Sequence, residues 1–280
     1  MARDKLLTFT DNRQDASLQA GHFNDFVQTV VLRSALYRAL EERGELRFDT
    51  VAFEVVERMG LELRNIAQNP QLDPSSSAAR SVWEAFRELT EYRLYYHLRR
   101  GWRVVMPNLE EVGLLQIDYG GLEECCSRED VWRGVPVLED KSSEQRTEVL
   151  RVIRDHFRKH LAIHTRVLAE ENSRRGLEQR VKQHLNAFWG LDHQERLWPA
   201  TSLVVRIGPG ELPQEGWFRR LSARTPLSRY LCRELHLEAG EFDAFARSLL
   251  RILTEQGFLR EEPVSKGTFL RYRLDAAHIR

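Results

Sequence analysis

The first apolar run, Lys5-Leu6-Leu7-Thr8-Phe9-Thr10, is short and rich in residues that favour extended chain, and the polar cluster Asp11-Asn12-Arg13-Gln14 follows it. This pattern predicts a buried strand that ends in a turn. From Asp15 to about Leu40 the period changes to three and four, with Leu18, His22, Phe26, Val30 and Ala35 beside Phe23, Val27 and Val31, which predicts a long amphipathic helix. Gly44 stands just past its end. Asp49 or Thr50 can cap a helix over Val51 to Met59, and the Pro- and Ser-rich stretch from Asn69 to Ser77 reads as a loop. A third helix is expected from Ser77 to Arg99. Two apolar runs, Trp102 to Met106 and Val112 to Tyr119, predict short or irregular β structure.

Helical periodicity resumes near Ser127 and dominates from Ser142 to about Trp189, where two packed helices are expected with a break near Asn172 or Gly176. The segment Asp192 to Ala200, containing Pro199, is the clearest linker. Beyond it the pattern predicts a strand over Thr201 to Ile207, helices over Pro226 to Leu235 and Glu241 to Gln256, a strand Gly257 to Arg260, a turn Glu261 to Gly267 and a strand Thr268 to Leu274. Helix, helix, hairpin is the order of a winged helix.

Composition narrows the class of protein without choosing a function. Of the 280 residues, 42% are hydrophobic and 30% charged, a balance that supports folded helices with solvated faces rather than disorder. No apolar run is long enough to span a bilayer and the N-terminus lacks a signal-peptide pattern, so the expected compartment is cytoplasmic with no membrane partner. Cys125, Cys126 and Cys232 include no CxxC pair and are expected as core thiols. Although the formal net charge is zero, residues 217–280 carry 12 Lys+Arg against 8 Asp+Glu, and residues 1–144 carry 18 against 25. A basic second half is compatible with a polyanion touching part of the surface.

Charge placement sharpens that expectation. In the helix Glu241 to Gln256, Phe242, Phe245, Leu249, Ile252 and Leu253 form one stripe, leaving Asp243, Arg247 and Arg251 on the opposite face. Arg247 and Arg251 are therefore candidate phosphate contacts, joined by Lys266, Arg271 and Arg273 from the hairpin. His156, His160 and His164 recur at intervals of four, a spacing open to metal, but Arg158, Lys159 and Arg166 lie among them and a solvated basic face is expected instead. No metal site and no nucleophile constellation is assigned. The six tryptophans, Trp83, Trp102, Trp132, Trp189, Trp198 and Trp217, are expected as core anchors.

The junction Thr10-Asp11-Asn12-Arg13-Gln14-Asp15 places a fixed positive charge beside the free N–H groups of a helix start. As a motif it is open to two readings, a plain helix cap and a phosphate contact. The string KLLTFTDNRQDASLQAGHFNDF resembles motif IV of superfamily 2 DEAD/DEAH-type bacterial helicases, the strand and helix that open the second RecA-like lobe. The segment from Tyr92 to Glu124 resembles the region after motif IV in the same helicases. The resemblance implies that Thr10, Asn12, Arg13 and Gln14 lie near the backbone of a bound strand.

A complete motor of this kind would use ATP and Mg²⁺, but this sequence has no GxxxxGK[ST] loop, DExx box or QRxGRxGR-type motif, so no cofactor is assigned to the chain itself. The expected architecture is mostly α within an α+β class. A RecA-like lobe edge occupies residues 1–45, a helical insertion 46–198 and a winged-helix-like domain 199–280. The expected role is nucleic-acid engagement, with DNA and the remainder of the motor as partners. A stand-alone winged-helix regulator and a protein-interaction module stay open as alternatives.

Overall fold

A computed structural model describes residues 13–99, 107–191, 196–209, 211, 217–222, 224–238, 240–264 and 268–280, with backbone alone for residues 13–22. The chain is mixed α/β and about 55% helical, with a curled mixed sheet. The expected first strand and the Trp102 to Met106 run lie outside the described residues.

Helix α1 (Arg13–Arg43) packs on α2 (Val51–Arg58), which leads through the one-turn α3 (Leu63–Ile66) to α4 (Ser77–His97). Ser76 starts α4 by accepting the Ala79 N–H at 3.1 Å. Leu32 and Ala35 of α1, Val55 of α2 and Leu94 of α4 form a small core of their own. Three short helices follow, α5 (Leu122–Ser127), α6 (Glu129–Trp132) and α7 (Pro136–Glu139). Helix α8 (Ser143–Lys159) opens with a reciprocal cap between Ser142 and Gln145.

The break expected near Asn172 or Gly176 falls earlier. After α8 the chain turns at Leu161, which adopts φ 57°, then forms β1 (Ile163–His164), α9 (Arg166–Ala169) and α10 (Glu171–His184). Glycine ordinarily marks a positive-φ turn. Here a buried leucine holds it, fixed by burial of its side chain and by the bond from Thr201 N–H to the Leu161 carbonyl at 3.0 Å.

Strands β2 (Ser202–Arg206) and β3 (Phe218–Arg220) run parallel, and α11 (Pro226–Glu234), α12 (Phe242–Glu255), β4 (Leu259–Val264) and β5 (Phe269–Asp275) complete the chain. β5 is the centre of the sheet. It pairs antiparallel with β4 and with β2, and parallel with β1, while β3 lies outside β2. The expected hairpin is present, but β4 reaches Val264, so residues expected in its turn are paired instead: Glu261 faces Tyr272 and Glu262 faces Arg271.

Thr225 caps α11 by accepting the Ser228 N–H at 3.1 Å, with Pro226 in the first turn. Ile153 and Phe157 of α8 converge with Leu227 and Leu231 of α11 and Phe242 and Phe245 of α12, so these three helices share one apolar centre. One buried cluster runs from Val56 to Ile279. The boundary expected at residue 199 therefore crosses a continuous core, because α8 supplies part of the packing for α11 and α12. Among the described residues no helix is long and apolar enough to cross a membrane.

Candidate nucleic-acid interface

The amphipathic pattern of α12 is realised in full. Phe242, Phe245, Leu249, Ile252 and Leu253 are buried, and Asp243, Arg247 and Arg251 are exposed on the other side. Hydrophobic burial fixes the rotation of the helix, and the rotation presents the arginines to solvent. Arg251 reaches Glu255 at 3.4 Å across one helical turn, with both side chains more than half exposed. Pairs of this kind are weakly held in water, which leaves the guanidinium able to exchange partners.

The hairpin arginines are placed differently. Arg273 is 9% exposed, and its Nε donates to the Thr201 carbonyl at 3.4 Å. Burial, with Arg271 and Arg174 nearby, pulls its pKa down to about 10. Arg271 is half-buried and tied to Glu262 on β4, with its pKa lowered by burial. Arg273 thus leaves the candidate contact set because its side chain is spent inside the fold, and Arg271 is engaged by its cross-strand carboxylate. Lys266, Thr10 and Asn12 lie outside the described residues. Arg13 and Gln14 open α1, at its first turn.

Exposed arginines that the candidate set did not include flank the sheet. Arg219 and Arg220 lie on β3, and the guanidiniums of Arg220 and Arg206 stand 5.6 and 5.9 Å from the ring centre of Phe269. The short β3 carries no periodic signal long enough to have located them. Glu261 and Glu262 lie on β4, and Arg260 of that strand is held by Asp275 at 2.7 Å.

The expected solvated face of α8 is not present. Arg158 is fully buried and bonds both oxygens of Glu110 at 2.7 and 2.6 Å, Asp155 at 3.0 Å and the Tyr119 hydroxyl at 3.1 Å. Burial opposes its charge, but these bonds outweigh it and raise its pKa. The rings of His156 and His160 lie with centres 4.2 Å apart and planes tilted by 42°, and burial first, then His160 and Arg219, depress the pKa of His156 to about 4. Among the described residues no group of three or more His, Cys, Asp or Glu is arranged to hold a metal ion.

Cys125 and Cys126 are buried as expected, and Cys232 is half-buried. Trp132 and Trp189 are core residues, whereas Trp198 and Trp217 are 52% and 44% exposed. The expectation of core anchors fails for that second pair. No family model, no curated protein and no solved structure matches this chain.

Proposed function

We propose that this chain is the nucleic-acid-binding portion of an ATP-dependent superfamily 2 DNA helicase or translocase, and that it carries no ATP chemistry of its own. The observation that carries the reading is α12, whose apolar stripe is buried and whose Arg247 and Arg251 face solvent together. Its setting supports a winged helix: α8, α11 and α12 share one core, and the β4–β5 hairpin follows directly. In such a module the exposed arginines of the second helix of the pair meet phosphates without reading sequence. The FTDNRQDA junction supports a motor context, with Thr10, Asn12, Arg13 and Gln14 near the bound backbone. Phe23, Phe26 and Val30 of α1 are exposed, as a helix face would be that the rest of a motor lobe covers. ATP and Mg²⁺ would be held by that remainder, since the sequence offers no phosphate loop or DExx box to fit them.

Binding of a duplex measured against salt concentration tests the proposal. Each phosphate contact contributes about 0.9 to the log–log slope, so Arg247→Ala with Arg251→Ala should lower that slope by roughly 2. A protein-interaction module, which the exposed face of α1 would also suit, predicts no salt-dependent duplex binding. An unchanged slope in the double variant would remove α12 from the interface.

A further inference from the structure

Between α1, α4 and residues 187–191 and 196–198 lies a cleft of about 420 Å³, within the range of small-molecule sites. Its lining mixes aromatic faces with cations and an amide: Gln28, Tyr92, Arg93, Tyr96, Arg196 and Trp198. Tyr92 and Tyr96 stack with ring centres 5.7 Å apart and planes 21° from parallel. The Tyr92 hydroxyl accepts the backbone N–H of Trp198 at 2.8 Å and so fixes the main chain at that residue beside the rim. Arg93 donates to the Trp189 carbonyl at 3.3 Å, and Arg196 lies 3.9 Å from Glu178. Among the described lining residues Asp25 is the one carboxylate, against the two arginines.

The rim carries the second observation. Trp198 meets Trp217 edge to face, ring centres 5.1 Å apart, and both rings are about half exposed. Tryptophan is enriched at binding interfaces, where a partner covers its ring. Trp217 leads straight into β3, the outer strand of the sheet, where Arg219 and Arg220 are exposed. Aromatic faces followed by arginines along one edge form the arrangement that holds single strands, with bases stacked on rings and phosphates on cations.

We infer that this cleft and its tryptophan pair form a binding site for single-stranded nucleic acid, separate from the duplex face of α12. One base enters the cleft beside Tyr96, a neighbouring base stacks on the Trp198–Trp217 pair, and the backbone continues along Arg219 and Arg220. The inference rests on the reading of the chain as a nucleic-acid binder, but on different residues from those that carry that reading. A single strand fits better than a duplex because a base stacked between its neighbours in a duplex has no free face to offer an aromatic ring.

The test uses the 280-residue chain and a fluorescein-labelled oligothymidylate of twelve nucleotides at low salt. Trp198→Ala and Trp217→Ala should each weaken binding by about fivefold to a hundredfold, the loss expected for one base–aromatic stack, and Trp198→Phe should retain most of it. Arg219→Ala with Arg220→Ala should lower the salt slope by roughly 1.4. Quenching of tryptophan emission in the unaltered chain gives an independent readout that needs no variant. Wild-type affinity in both alanine variants, or no oligothymidylate binding and no quenching in the unaltered chain, would overturn the inference. The two sites are separable: Arg247→Ala with Arg251→Ala should weaken duplex binding and leave the oligothymidylate affinity unchanged. Loss of single-strand affinity in that double variant would merge the sites and also overturn the inference.

Discussion

Along α8, Arg146, Arg154 and Arg158 are sealed from solvent, whereas along α12 Arg247 and Arg251 stand in water. Both helices are amphipathic and both carry two of these arginines one turn apart, Arg154 and Arg158 in α8 and Arg247 and Arg251 in α12, so residue type and spacing do not separate them. The surroundings do. Arg146 is enclosed by α5, α6 and α7, donating to the carbonyls of Leu138, Cys126 and Glu139 at 2.7, 3.1 and 2.8 Å and to both oxygens of Glu129. It satisfies C-terminal carbonyls of α5 and α7, helices too short to complete their own hydrogen bonding, and pairs with the carboxylate at the start of α6. Arg154 is different again: it lies 3.7 Å from the ring centre of Phe258, and none of its three nitrogens has a hydrogen-bond partner among the described residues. Burial lowers its pKa to about 10. An arginine buried with partners holds a fold together, one buried without them strains it, and an exposed one is free for a ligand.

Substitution of Arg158 should produce the largest effect. Arg158→Met leaves Glu110 and Asp155 with Lys159 alone, 3.1 Å from Asp155 and 4.0 Å from Glu110, and breaking a buried pair costs about 3–5 kcal/mol. For a chain of this size that corresponds to a fall in Tm of roughly 5–9 °C. Arg154→Met on the same helix should hold or raise Tm, because the cation–π contact with Phe258, worth about 2 kcal/mol, returns less than the several kcal/mol that desolvating a guanidinium costs. Thermal melts of the two variants side by side decide the matter. Equal losses would show that partners do not distinguish these arginines.

Glu91, half-buried on α4, is a charge of the opposite sign and gives a pH-dependent version of the comparison. Burial first, with Glu88 adding and Arg166 opposing, lifts its pKa from 4.5 to about 7. A carboxyl raised in the folded state contributes its stability fully below pH 4.5 and loses it as pH rises through 7. Glu91→Gln should therefore raise Tm at pH 8 by roughly 3–6 °C and change it little at pH 4.5. The opposite pH order would mean that the carboxylate is paired rather than stranded.

These contrasts mark what the sequence made legible. The boundaries of α12 and its buried stripe followed from a fourteen-residue pattern, because local periodicity decides which face a helix buries. The burial of Arg158 did not, since its partner Glu110 is 48 residues away and the His156–Arg158–Lys159 stretch reads locally as a polar face. The turn at Leu161 carried neither glycine nor proline to announce it. Arg271 and Arg273 lie two residues apart and so share one face of β5, but how deeply each is covered depends on distant neighbours, here Glu262 for Arg271 and Thr201 for Arg273. The tryptophan pair was equally hidden: Trp198 and Trp217 are 19 residues apart in sequence, and only the path of the chain brings their rings together.

The smallest expected effect tests the exposed side of the comparison most finely. Glu255 is the partner of Arg251, and as an exposed pair at one-turn spacing it adds little to stability. Glu255→Gln should leave Tm within about 2 °C of the parent. If α12 meets phosphates, the same change should tighten duplex binding by about threefold at low salt, because a negative charge beside the interface is removed and Arg251 no longer divides its field between two anions. The gain should fade above roughly 0.2 M salt as screening shortens the reach of either charge. Tighter binding that persisted at high salt would require a direct contact by the new amide. No tightening at any salt would place the duplex away from the C-terminal half of α12, leaving Arg247 to act without Arg251.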